Sequence, residues 1–105
     1  MEYKLDGSET FLEEITQITD YIENVLKSKE AAKRLRRKIK FKLQGLKYFP
    51  EMYPQIENSD RHGRHYRRMV INKYVILYIV IQEEKTVLIS HIYYGGQNYI
   101  YGGYL

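Results

Sequence analysis

The run Val75-Ile76-Leu77-Tyr78-Ile79-Val80-Ile81 constrains this chain more than any other feature. It is rich in β-branched residues and far shorter than the roughly 18 apolar residues that span a bilayer. Such a run is expected as a central strand covered on both faces. Asn72-Lys73 before it and Glu83-Glu84-Lys85 after it are turn material. Antiparallel neighbours are therefore expected at about 65–72 and 86–93, around a central strand at 74–82. Tyr3 and Leu5 alternate with Glu2, Lys4 and Asp6, which predicts a further short strand over 2–6.

Two helices are expected to cover this sheet. Phe11, Ile15, Ile18, Ile22, Val25 and Leu26 recur at three- and four-residue steps and predict one apolar stripe over about 9–26. Ser8 or Thr10 can cap it, Thr10 with Glu13 having capping-box spacing. Ala32, Leu35, Ile39, Leu43 and Leu46 predict a second stripe over about 29–46, capped by Ser28. The connection is short, so the helices should form an antiparallel hairpin. Pro50, Pro54, Asn58, Asp60 and Gly63 mark a loop over 47–63, with Phe49, Met52, Tyr53 and Ile56 expected as core anchors. The expected fold class is α+β, in the order β-α-α-β-β-β. A helical hairpin packs on a mainly antiparallel four-stranded sheet whose other face is left partly open. The 105 residues suit one domain, 1–105.

Charge is unevenly spread. Residues 1–26 hold one Lys against seven acids, and residues 27–47 hold ten Lys and Arg against one acid. The second stretch can attract a polyanion or an acidic partner, or it can be a solvated helix face. There is no Cys, which excludes disulfides and thiolate metal sites. The His62-x-x-His65 pair has no nearby third ligand and Gly95-Gly96 is no phosphate loop, so no metal and no cofactor is expected. Met1-Glu2-Tyr3-Lys4-Leu5 does not read as a signal peptide and no membrane span is expected, so a cytoplasmic protein is.

The last third carries the candidate chemistry: Arg61-His62-Gly63-Arg64-His65-Tyr66-Arg67-Arg68 leads into the strands, and Tyr94-Gly95-Gly96-Gln97-Asn98-Tyr99 leaves them. A ribonuclease without a metal uses the RNA 2′-hydroxyl as nucleophile. It needs a base for that proton, an acid for the leaving oxygen and cations for the pentavalent phosphate. Arg64, Arg67 and Arg68 are suitable cations because guanidinium holds phosphate bidentately. His91 and Tyr93 lie two apart on one strand face, with Tyr94 on the other. Either face can meet the arginines. His91 has the better reference pKa for a base, about 6.5 against about 10 for Tyr94.

Four segments together resemble the RelE/ParE superfamily of toxins from bacterial type II toxin–antitoxin systems. They are Ile18-Thr19-Asp20-Tyr21-Ile22, then Ala31-Ala32-Lys33-Arg34-Leu35 through Leu46-Lys47-Tyr48-Phe49-Pro50. The others are Tyr66-Arg67-Arg68-Met69-Val70-Ile71 with Tyr74-Val75-Ile76-Leu77-Tyr78, and Val87 through Asn98. The resemblance implies a growth-inhibiting toxin of the kind that serves plasmid stabilisation, cleaving mRNA on the ribosome. Its ParE-like branch implies instead a non-nuclease that binds and poisons DNA gyrase. A third implied role is a weakened toxin acting chiefly as a subunit of an operon-repressing complex. The implied partner is a cognate antitoxin, with operator DNA bound only through the antitoxin complex. The likeness makes Arg67 and Tyr94 catalytic candidates and Lys47 a substrate-binding one; by the residue chemistry above, His91 joins the catalytic candidates and Arg64, Arg68 and Tyr93 the substrate-binding ones. Many relatives carry His, then Arg and Asp, in the closing tail; here Tyr94, Gln97 and Asn98 stand there.

Overall fold

The computed structural model describes residues 2–57 and 64–95. Arg61, His62, Gly63 and the tail from Gly96 onward, with Gln97 and Asn98, lie outside the described residues. The elements are β1 (Lys4–Gly7), α1 (Glu9–Asn24), α2 (Lys29–Gly45), β2 (Arg67–Ile71), β3 (Tyr74–Ile81) and β4 (Thr86–Tyr94). A short 3-10 turn, Gln82–Glu84, joins β3 to β4. The sheet order is β1-β4-β3-β2. β1 runs parallel to β4, and the other two pairings are antiparallel.

Local chemistry accounts for the ends. Ser8 caps α1, its Oγ accepting the Phe11 N–H at 3.0 Å, and Ser28 caps α2, accepting from Ala31 at 3.1 Å. Thr10 lies inside α1 and its capping-box spacing goes unused. α1 stops at Asn24, two residues short of the predicted stripe. Lys27 takes a left-handed φ of 56° and turns the chain, which leaves Val25 and Leu26 exposed. Asn72 and Lys85, at φ 55° and 49°, turn the two hairpins.

The helices bury one face of the sheet. Phe11, Ile22, Ala32, Leu35, Ile39 and Leu46 pack on Met69, Ile71, Ile76, Tyr78, Val87, Ile89 and Ile92. The other face is less open than the pattern predicts. Tyr66, Val75, Leu77, Ile79 and Tyr93 form a second buried cluster, with Ile56 and Ile81 against it. Residues 54–56 run alongside 66–68: Ile56 donates to the Tyr66 carbonyl at 2.8 Å and Arg68 to that of Pro54 at 3.1 Å. This pairing lays Ile56 and Tyr66 over the sheet. Of the four expected loop anchors, Tyr53 and Ile56 serve. Phe49 and Met52 point outward, because the Tyr78 hydroxyl, donating to the Pro50 carbonyl at 2.9 Å, fixes the turn instead.

One irregularity decides which side chains share a side. Leu77 pairs with His91 but Tyr78 pairs with Ile89, so Ser90 is an extra, bulged residue. A bulge restarts the in–out alternation. It puts Ile89 and Ile92 on the helix side, and His91 and Tyr93 on the other.

Candidate functional site

Arg64, His65 and Arg67 line one cleft of about 320 Å³, with Glu51, Gln55, Val80, Gln82 and Glu83. β2 begins at the floor of this cleft, the turn after α2 forms one wall, and the 3-10 turn forms the other. Arg67 Nη1 donates to the carbonyls of Tyr53, at 2.6 Å, and Glu51, at 3.2 Å. Its Nη2 stands 3.8 Å from the Glu51 carboxylate. Glu51 also accepts from Gln82 Nε2 at 3.0 Å, and Gln82 Oε1 accepts from the Tyr3 hydroxyl at 2.6 Å. Arg64 pairs with Glu83 at 2.5 Å.

The electrostatics follow from these contacts. The Glu83 carboxyl is held below the ordinary carboxylate range, first by its own backbone N–H and then by Arg64. It therefore remains an anion and an acceptor. Beneath the cleft, burial pushes the Tyr78 phenol up to about 12, only partly offset by the nearby Arg67 charge. Tyr78 is a neutral donor to Pro50, not a base. Arg67 thus ties the 51–53 turn down and leaves only a small part of a mostly buried guanidinium on the cleft wall.

His91 sits elsewhere. Its Nδ1 is buried and lies 3.5 Å from Glu14 Oε1, the same oxygen that accepts the Ile92 N–H at 3.0 Å. The ring is tilted against Tyr66, 6.4 Å between centroids. β1 pairs with β4 only as far as Ile89. Beyond that, Ser8 Oγ donating to the Ser90 carbonyl and Glu14 accepting from Ile92 finish the strand edge. His91 belongs to that edge, in one cross-strand row with Leu77 and Arg68.

The remaining candidates disperse. Arg68 is exposed on the second face, beside a cleft formed with Tyr53, Pro54 and Ile56. Tyr93 is buried under that face. Tyr94 pairs in register with Tyr74 and meets its ring edge-on at 5.8 Å. Burial and the neighbouring Tyr94 and Tyr21 hydroxyls raise the Tyr74 phenol. Arg67 pairs with Tyr78, four positions further along β3 from Tyr74, so Arg67 and Tyr94 stand at opposite ends of the sheet. Lys47 borders a separate groove with Glu2, Tyr3, Lys4, Leu5 and Gln44. The structure therefore brings Arg64 and Arg67 together and leaves His91 and Tyr94 apart from them and from each other.

Sequence reasoning missed Glu51, Gln82 and Glu83. Glu83 stood in a segment read only as turn, and Glu51 lay between two prolines read only as loop. No spacing rule links either to an arginine; the pairing arises from the return of β3 past the 51–55 turn.

A family model described as ParE toxin of the type II toxin–antitoxin system parDE matches residues 6–99. Three solved structures share the fold at low identity. The archaeal RelE–RelB complex from Pyrococcus horikoshii is 18% identical, with a TM-score of 0.60, over 92% of this chain and 99% of that one. The RelBE2 toxin–antitoxin complex from Mycobacterium tuberculosis is 16% identical, with a TM-score of 0.55, over 90% and 99%. A mutant of the E. coli toxin RelE in the free state is 22% identical, with a TM-score of 0.54, over 91% and 86%. No curated protein matches the chain at a significant level.

Proposed function

This chain belongs to the ParE toxin family of type II toxin–antitoxin systems, and we propose, from its cleft rather than from that membership, that it is a metal-independent mRNA endoribonuclease acting on the ribosome. The observation that carries the proposal is the convergence of Arg64, His65 and Arg67 with two carboxylates on one cleft. Arg64 and Arg67 hold the non-bridging oxygens of a phosphodiester, which exchanges with Glu83 for the Arg64 guanidinium. Glu51, mostly exposed and hydrogen-bonded to Gln82, takes the proton of the 2′-hydroxyl. The 2′-oxygen attacks phosphorus and the P–O5′ bond breaks. His65 donates a proton to the leaving 5′-oxygen. The products are a 2′,3′-cyclic phosphate and a 5′-hydroxyl. The arginines serve most in the pentavalent state, where negative charge on the oxygens is greatest.

The partner is a cognate antitoxin. Structural relatives from Pyrococcus horikoshii and Mycobacterium tuberculosis are toxin–antitoxin complexes, which supports that assignment. Among the described residues no helix is long and apolar enough to cross a membrane.

One observation favours a second reading, a gyrase-binding toxin of the ParE-like branch. The two cleft arginines face two carboxylates, so apart from His65 the cleft carries no net charge and attracts a polyanion weakly. Induction in cells with mapping of mRNA 5′ ends, alongside a supercoiling assay, separates the two. Codon-linked cuts with normal supercoiling are expected. Intact transcripts with trapped gyrase–DNA breaks would establish the gyrase reading instead.

A further inference from the structure

We infer that the outer surface of the helical hairpin is an interface with a second copy of this chain, the acidic α1 of each lying antiparallel on the basic α2 of the other. The inference does not rest on the nuclease reading. Its basis is an unusual separation of charge. α1 exposes Glu9, Glu13 and Asp20, and α2 exposes Lys33, Arg34, Arg36, Arg37, Lys38 and Lys40. The two helices touch, yet among the described residues no ion pair joins them. At 100° per residue, Glu9, Glu13 and Asp20 fall on the side of α1 opposite Phe11, Ile15 and Ile22. Arg34, Arg37 and Phe41 likewise fall opposite Ala32, Leu35 and Ile39. Both charge sets therefore point out of the molecule, and neighbouring charges of opposite sign go unused.

Each helix also presents a large apolar side chain toward solvent. Phe41 is 79% exposed and Leu12 is 54% exposed. Their heights along the hairpin agree. Ile22 lines one cleft with Ala31, Arg34 and Leu35, which sets the level of the two helices. Ten residues down α1 from Ile22, and nine along α2 from Ala32, are both about 14–15 Å. Leu12 and Phe41 thus stand at one height, and Asp20 stands near Arg34. A two-fold axis in the interface, parallel to the hairpin, exchanges left for right and keeps height. It sets Asp20 of one copy against Arg34 of the other, twice over, with Phe41 of each copy at the height of the partner's Leu12, which lies on the flank of α1. A pattern that is self-complementary under a two-fold is what an isologous dimer requires.

The face is small. Its helices span about 24–26 Å and together are about 20 Å wide, on the order of 500 Å² per copy against about 800 Å² for a standard interface. The dimer is therefore weak and salt-sensitive, because exposed charges supply most of its attraction.

Sedimentation of the purified protein tests this. It should dimerise at about 0.05 M salt and become monomeric at about 1 M, where the screening length falls to about 3 Å. Two variants sharpen the result: Glu13→Lys with Asp20→Lys, and Arg34→Glu with Arg37→Glu. Each alone should be monomeric, since the substituted positions then meet their own sign across the two-fold: lysines at 13 and 20 against the basic α2, or glutamates at 34 and 37 against the acidic α1. Mixed one to one, they should form a heterodimer. Because the chain has no Cys, an Asp20→Cys variant mixed with an Arg34→Cys variant should also give a mixed disulfide between copies on air oxidation. A wild-type protein that is monomeric at low salt overturns the inference. So does a mixture of the charge variants that fails to associate while both keep the wild-type circular dichroism spectrum. A monomer that instead binds poly-glutamate or a single-stranded RNA oligonucleotide through α2 also overturns it and assigns the face to that ligand.

Discussion

The Arg64–Arg67 cleft and the outer face of α2 are both basic in sequence, yet they are physically unlike. In the cleft each guanidinium is bound: Arg67 by two carbonyls and Glu51, Arg64 by Glu83. On α2 the cations stand in water; Lys38, donating to Asn72 Oδ1 at 2.7 Å, is the one with a described side-chain hydrogen bond. The richer cluster has the less specific chemistry. A solvated cation contributes a field that salt screens, whereas a positioned guanidinium contributes directed donors in a fixed place. Density of charge therefore marks a surface for partners, and fixed hydrogen bonds mark a site for chemistry.

The largest effect should come from Arg67→Ala. It removes the phosphate ligand of the proposed mechanism and leaves the Tyr53 and Glu51 carbonyls without their donor. We expect RNA cleavage to fall about 10²-fold or more, and stability by about 1–3 kcal/mol. Primer extension and thermal melting read the two losses separately; a variant as toxic and as stable as wild type would remove Arg67 from both roles. Next, Glu51→Gln keeps the contact to Gln82 but cannot take a proton. Cleavage should drop about 10²-fold with the melting temperature nearly unchanged. Full activity in that variant would move the base elsewhere, His91 with Glu14 being the next pair to test.

Tyr78→Phe should have a smaller effect, about 1 kcal/mol, by losing the bond to Pro50. Its pH dependence has a definite sign. The folded phenol is raised to about 12 from an ordinary value near 10. Tyr78 therefore contributes stability in full below pH about 10 and loses it as pH rises toward 12. The Phe variant should show a shallower alkaline loss in denaturant titrations between those values. The smallest effect is expected on the other side of the comparison. Arg36→Gln with Lys40→Gln should change stability by no more than about 0.5 kcal/mol and leave single-turnover cleavage of a short RNA unchanged. A tenfold drop there would show that the α2 face reaches the substrate and collapse the distinction drawn above.

Much of the frame was legible. The apolar run in β3 and the helix stripes each depend on periodicity within a few residues. Ser8 and Ser28 capped as capping chemistry predicts. The misses have physical causes. Leu26 ended outside because Lys27 reverses the chain through a left-handed φ, which no stripe reveals. Phe49 and Met52 looked like anchors by hydrophobicity, but the turn is held by polar contacts from Tyr78 and Arg67. Lys47 and Tyr94 are candidates by their place in a family pattern, and place along the chain says little about which groove a side chain enters.

The amino-acid sequence by itself determined the elements, their order, the acidic and basic helices and the arginines at the start of β2, because all of these are local properties of composition and spacing. Only the tertiary structure decided what those arginines touch. The register of β2 on β3 and the return of the 3-10 turn past residue 51 bring Glu51 and Glu83 to them, across separations of about twenty residues. The bulge at Ser90 decides which side of the sheet His91 and Tyr94 each take; a regular strand would have reversed the assignment. Partnership of charges is a long-range property, set by register and by one extra residue, and no local pattern carries it.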